Sequence, residues 1–243
     1  MNTLFYSASS GLFAFQEELN TIGHNMANVG TNGYQPSRSK FQELLATRMD
    51  VKGGNHRAGH GVRADERQLL IQQGNLNQTN RELDFAIMGD GFFAADRSGQ
   101  IEYTRNGSFS VSAEGNTGYL VDSEGGYLLD RGGNRISFRR NADTGTFDLS
   151  EVESKLGVWN FDQPEGIIPA SGSGYLSTAA SGTAFLAEES AYQLMPNALE
   201  QSATSLSDEM ANMITAQRGY QMSARLVQVA DETEETLNRL RNG

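Results

Sequence analysis

Apolar side chains at Phe5, Ala8, Leu12, Phe15, Leu19, Ile22, Met26 and Val29 follow one another at alternating steps of three and four. No strand can present that period on one face. It lays a single narrow seam along a helix, the kind that coiled coils use. Gln16, Glu17, Glu18, Asn20, Thr21 and Asn25 fill the other faces. Gly30 supplies a C-terminal stop, and Thr31-Asn32-Gly33 reads as a turn. Gly11 and Gly23 lower helix propensity, so a close-packed neighbour is expected against this helix.

The other end of the chain repeats the pattern. Ser205 with Asp208 three residues later resembles a capping box, and Asp208 and Glu209 suit a helix N-terminus. Leu206, Met210, Met213, Tyr220, Ala224 and Val227 make one apolar row, with Gln217 at the skipped position. Met222, Leu226, Val229 and Leu240 make an overlapping second row, broad enough for more than one partner helix.

Between the helices the period becomes two. Ser98-Gly99, Asn106-Gly107, Glu114-Gly115, Gly125-Gly126 and Gly132-Gly133 punctuate the chain, and between them lie the pairs Ile101/Tyr103, Phe109/Val111, Tyr119/Val121, Tyr127/Leu129 and Ile136/Phe138. This pattern predicts antiparallel hairpins and meanders. Residues 156–161 read as a further strand, and residues 50–64 and 170–182, rich in Gly, Ser and Ala, read as loops. The fold class is therefore α+β: long terminal helices of coiled-coil type flank a central all-β antiparallel domain. The expected division is 1–31 with 205–243 as a helical domain, 32–75 with 185–204 as an extended connector, and 76–184 as the β domain.

Composition narrows the function classes. Thirty acidic against nineteen basic residues in 243 give a net charge of −11, which disfavours a nucleic-acid binder. The acidic excess sits in residues 82–165, while 38–67 is basic. No cysteine is present, which removes disulfides, thiolate catalysis and cysteine-ligated metals. No apolar run approaches the length of a membrane span. The first Lys or Arg is Arg38, so a basic leader segment and a cleaved secretory signal are not expected.

Three local motifs suggest chemistry, and each has a plainer account. Gly89-Asp90-Gly91-Phe92-Phe93-Ala94 fits a dinucleotide fingerprint, but alternation follows it where a helix is required, so a glycine turn between strands is expected. His56 and His60 have metal-ligand spacing in a stretch too glycine-rich for the helix that would aim both at one ion. Residues 141–145 begin like a calcium loop with Gly misplaced. No catalytic residue, cofactor or metal ligand is expected, and the chain reads as a non-enzyme. The two seams can pair within one chain or with copies. A helix burying one narrow seam recovers little against the entropy of ordering it, which favours burial on several sides in an assembly.

Residues 19–34, Leu-Asn-Thr-Ile-Gly-His-Asn-Met-Ala-Asn-Val-Gly-Thr-Asn-Gly-Tyr, resemble the N-terminal signature of bacterial flagellar rod and hook proteins. His24 stands where that family more often has Asn. Further blocks similar to the family are 73–76 (Gln-Gly-Asn-Leu), 83–93 (Leu-Asp-Phe-Ala-Ile-Met-Gly-Asp-Gly-Phe-Phe), 103–109 (Tyr-Thr-Arg-Asn-Gly-Ser-Phe), 118–121 and 209–222. Within the family the distal rod group is nearest and the proximal rod group second. The segment after residues 41–45 is shorter than is usual for distal rod proteins, and residues 141–200 match poorly.

The resemblance implies a structural subunit of the flagellar basal-body rod, self-assembling helically into the shaft that carries torque from motor to hook. It implies copies of itself, other rod proteins and the hook protein as partners, together with rod-surrounding ring proteins and the flagellar export apparatus. Neither nucleic acid nor direct membrane insertion is implied. The implied location is the basal body, outside the cytoplasmic membrane. The expected self-assembly residues are Phe5, Leu12, Phe15, Leu19, Ile22, Met26, Val29, Leu206, Met210, Met213, Tyr220, Val227 and Leu240. The family-motif turn is Asn25, Asn28, Thr31, Gly33 and Tyr34. The alternative reading is a secreted, adhesin-like β-rich binding module with helical stalks.

Overall fold

The three-four spacing of the first thirty residues produces one helix, α1 (Thr3–Ala27), and the C-terminal rows produce a longer one, α3 (Leu206–Asn242). The computed structural model describes residues 3–44, 47–51, 54–140, 147–149, 151–170 and 172–242. α1 stops at Ala27 rather than Gly30, because the chain turns on Asn28, whose carbonyl accepts the Thr31 N–H at 3.1 Å. At the start of α3, the Ser205 hydroxyl accepts the Asp208 N–H at 3.5 Å, one half of a capping box.

The chain divides into two compact units. One comprises residues 1–27, 37–68 and 205–243; the other comprises 28–36 and 69–204. In the first unit α1 and α3 pack against each other within one chain, the arrangement that the entropy of ordering a single seam had disfavoured. The reason lies in small residues. Gly11 faces Ser223, so that a Cβ added at 11 would lie 3.2 Å from its hydroxyl, and the Phe15 ring lies on Gly219. The Asn25 amide donates to Glu209 Oε1 at 2.9 Å. In all three pairs the residue numbers rise on one helix as they fall on the other by the same amount, which defines an antiparallel register. α1 is also covered on a second side by the strand Ser37–Glu43, which pairs with Val62–Leu69. The Thr21 and Ser39 hydroxyls are 2.9 Å apart, the Phe15 and Phe41 rings 5.7 Å apart, and Val62 N–H reaches Ser10 Oγ at 3.1 Å.

Residues 50–64 differ from the loop expected of them. Thr47–Val51 and Gly54–Ala58 form an antiparallel hairpin with Val51 opposite Gly54, because backbone pairing alone can build a polar hairpin that carries no apolar alternation. The expected loop at 170–182 likewise contains the strand Gly174–Leu176, which pairs with Gln100–Thr104.

In the second unit, Phe92–Arg97 is the central strand of an antiparallel sheet that also contains Gln100–Thr104, Thr117–Val121, Tyr127–Leu128 and Val158–Asn160. Successive side chains on a strand point to opposite faces, so Phe93 enters one core with Phe109, Leu120, Leu128 and Val158, while Phe92 enters another with Tyr103, Phe161 and Tyr175. A short helix, α2 (Val152–Lys155), closes the first core with Val152. The hairpin at Ser98-Gly99 has both residues at positive φ, 55° and 89°, the conformation that matches the twist of two-residue loops. Asn106-Gly107, expected to be a similar turn, is instead a close crossing. Gly107 has no positive φ, its carbonyl accepts Phe85 N–H at 3.0 Å, and a Cβ there would overlap Phe85's carbonyl.

Candidate functional site

Two arrangements gather the residues singled out from sequence, one in each unit. In the helical unit the inward face of α3 is made of Ala216, Ser223 and Ala230, all buried, with Met213, Gly219, Tyr220 and Val227 half-buried beside them. On α1 Ala8, Gly11, Ala14, Thr21, Ile22 and Asn25 are buried. Of the expected α1 seam, Ala8 and Ile22 are buried within the chain. Leu12, Phe15, Leu19 and Met26 are half-buried, and Phe5 and Val29 are exposed. On α3 Leu206, Met210 and Leu240 are exposed.

Apart from Ile22 and Phe15, the face each helix turns to the other is therefore made mostly of small residues, while several large apolar side chains stay exposed. Met222 is 65% exposed, Leu237 61%, Leu240 76% and, on α1, Phe13 71%. Continuing the register past its last pair sets Thr3 opposite Asp231, so residues 232–242 of α3 extend beyond the end of α1. That overhang is about 16 Å at 1.5 Å per residue. Leu226 and Val229 recur eleven residues later as Leu237 and Leu240, so the overhang repeats the apolar pattern beside it.

The second arrangement lies within the β unit, and the motif turn leads into it. Asn25 stays with the helices, its side chain exchanging hydrogen bonds with the Ser37 backbone at 2.8 and 3.0 Å. Asn28 and Thr31 close the turn by their backbone and through the Thr31 hydroxyl, which donates to the Asn28 side chain at 3.2 Å. Gly33 has φ +68° and lies flat on the Arg105–Asn106 peptide, where a Cβ would overlap backbone. Its N–H donates to Glu200 O at 2.8 Å, and the Tyr34 carbonyl accepts Ala203 N–H at 3.0 Å.

Beneath this turn is a buried ion pair. Arg105 is 1% exposed and Glu200 0%, with Arg105 Nη1 3.2 Å from Glu200 Oε1. Arg105 Nε donates to Gly91 O at 3.0 Å, its Nη2 donates to Gly89 O, and the guanidinium stands 5.6 Å from the centre of the Phe92 ring. The same carboxylate oxygen accepts Gly74 N–H at 2.8 Å and Gln35 Nε2 at 3.5 Å. Gln35 Oε1 takes Gln72 N–H at 2.8 Å, and Gln35 N–H donates to the Tyr175 hydroxyl at 3.0 Å. Burial pushes the Glu200 carboxyl up, with Arg105 opposing it, and burial also pushes the Tyr175 phenol up.

The nucleotide-like Gly89-Asp90-Gly91 is thus a pair of carbonyls cupping an arginine, and a strand follows it. His60 is exposed; the side chain of His56 and residues 141–145, like Gly53, lie outside the described residues. Arg105, Gly74, Gln35 and Glu200 were not singled out from sequence as site residues. Arg105 and Gly74 lie in blocks shared with the flagellar family, whereas nothing local marks Glu200.

Residues 5–35 match the family described as flagella basal body rod protein. Residues 86–151 match the flagellar hook protein FlgE/F/G D1 domain, and 195–240 the flagellar basal body rod FlgEFG protein C-terminal family. The flagellar basal-body rod protein FlgG of Bacillus subtilis is 30% identical, with 97% of this chain and 98% of the relative covered. The chain belongs to the flagellar basal-body rod protein family. FlgG of Borreliella burgdorferi is 29% identical over 99% of both chains, and the rod protein FlgF of Mesorhizobium japonicum is 27% identical over 99% of this chain and 98% of its own. As a member of the rod family, in its distal rod group FlgG, the chain is a structural component of the basal body. The matched segments cover both terminal helices and the β unit's central strands.

Proposed function

We propose that this rod subunit assembles helically with copies of itself through the outward faces of α1 and α3, and that the assembly carries torque from motor to hook. One observation carries the proposal: Met222, Leu226 and Val229 are exposed beside the small-residue face that α3 turns to α1, and Leu237 and Leu240 are exposed on the overhang that α1 does not reach. Contiguous exposed apolar surface of this kind marks an interaction site. The partner surfaces differ on the two sides of each subunit, so the contact is heterologous and grows as an open filament.

On this reading residues 1–31 with 205–243 form the inner tube, 32–75 with 185–204 the connector, and 76–184 the outer body. The seam residues Leu12, Leu19 and Met26 on α1, and Met213, Tyr220 and Val227 on α3, complete the tube around the intrachain pair. Rod-family membership supports assembly with other rod and hook proteins. Contact with surrounding rings and passage as an unfolded chain through the flagellar export apparatus complete the reading, which assigns no catalytic role. Among the described residues no helix is long and apolar enough to cross a membrane.

The test is a Leu237→Asp/Leu240→Asp chain. Both side chains lie on the exposed overhang, so the monomer should keep its melting temperature while polymerisation and swimming are lost. Polymerisation at the wild-type rate would falsify the proposal.

A further inference from the structure

Four sequence blocks far apart in the chain converge on the Arg105–Glu200 pair: the turn at 31–36, Gly74, Gly89 to Gly91, and Arg105 itself. The segments they bind are the chain that follows α1 and the chain that precedes α3. Residues 33–36 run between two neighbours. Ala203 N–H reaches Tyr34 O on one side, and Leu70 N–H reaches Pro36 O at 2.8 Å on the other, while Gln201 N–H reaches Asn75 O at 2.8 Å. Yet no residue of 28–36 or 198–204 belongs to either apolar core of the β unit. Tyr34 and Ala198 are buried outside those cores, the directional links are polar, and a single carboxylate oxygen joins 35, 74 and 105.

A buried ion pair is an expensive way to gain stability, since well-packed apolar residues of similar volume often do as well or better. What charge offers here is direction. The Arg105 fork is aimed by two carbonyls, and its charge accepts one placement of the carboxylate. We propose that Arg105 and Glu200 are positioning residues: they seat both terminal segments at one fixed place on the β unit, so that the chain from α1 enters it and the chain to α3 leaves it at set points. The consequence for rod assembly rests on the reading above; the seating itself does not, and is measured on the unassembled chain.

The experiment is amide hydrogen exchange on the full-length Arg105→Met/Glu200→Leu chain, which removes both charges together and strands neither. Amides at Gly33, Gly74, Gln201 and Ala203 should lose protection by about tenfold or more, while those at Phe93, Ala95, Leu120 and Leu128 keep theirs. Arg105→Lys, which keeps the charge without the fork, should give an intermediate loss at the same four amides. Wild-type protection at those four amides in the double variant overturns the proposal. An equal loss at the core amides overturns it too, because the pair would then be ordinary core.

Discussion

The β unit and the helical unit bury different things. In the β unit Phe92, Phe93, Phe109, Leu120 and Leu128 are at most 1% exposed, and strand 92–97 is covered on both faces. In the helical unit the buried contacts are mostly small, Ala8, Gly11, Ala14, Ala216, Ser223 and Ala230 with Ile22, while Phe13, Met222, Leu226 and Val229 are exposed. Hydrophobic stabilisation scales with apolar area removed from water, so small residues contribute closeness and little free energy. The β unit closes its own cores, although Met88, Ile101, Ile168, Phe185 and Leu186 stay exposed at its surface. The helical unit is a scaffold whose remaining apolar area is available to another chain.

The largest expected effect tests the completeness of the β unit. Phe93→Ala should cost about 3–5 kcal/mol, because the cavity opens in a closed core, and calorimetry should show the β transition fall steeply. Leu237→Ala, which removes exposed area only, should change monomer stability by less than about 0.5 kcal/mol. Similar losses for the two would erase the contrast between the units.

Next is Gly33→Val. A β-branched residue at positive φ costs about 1–3 kcal/mol, and the Arg105–Asn106 peptide leaves its Cβ no room. Thermal melts should show a loss at or above that range; full tolerance would mean that the turn is not specified.

A third pair of substitutions sharpens the reading of the helical unit. Gly11→Ala meets only the Ser223 hydroxyl at 3.2 Å, which can turn aside, so the roughly 1 kcal/mol of helix propensity gained should show as a neutral or stabilising change. Gly219→Ala drives its methyl into the Phe15 ring, and should destabilise. The sign difference, read from exchange of the α1 and α3 amides, is the measurement, and equal signs would refute the register.

The smallest effect concerns pH. Hydrogen bonds from Arg135 and then Gly99 hold the Asp96 carboxyl below its ordinary value of 3.8, so its contribution is present above that value and fades as pH falls through the lower folded one. Glu200 has the opposite sign. Burial lifts it above the ordinary 4.5, so the advantage of its protonated form is full below that value and is lost as pH rises through the folded one. Arg135→Ala should therefore weaken the acid limb of the stability curve. Glu200→Gln should flatten the dependence above pH 4.5. A curve left unchanged by both would show that neither group titrates differently on folding.

Periods of three and four, then of two, then of three and four again, determined by themselves the order helix, antiparallel β, helix, since only those structures place such residues on one face. They also marked Gly33 and the hairpin at Ser98-Gly99, because positive φ selects residue types locally. Three things depended on the tertiary structure. The broad apolar rows could not say which row faces α1; Gly219 under Phe15 and Gly11 beside Ser223 decided that the small residues turn inward. The polar stretch at 50–64 carries no alternation, so its hairpin is written in backbone pairing that no side-chain pattern reveals. Arg105 and Glu200 stand 95 positions apart in sequence, and burial beside Gly89, Gly91, Gly74 and Gln35 is a property of the folded chain alone. Local periodicity reports which face a residue occupies, whereas the partner it meets there is set by long-range packing.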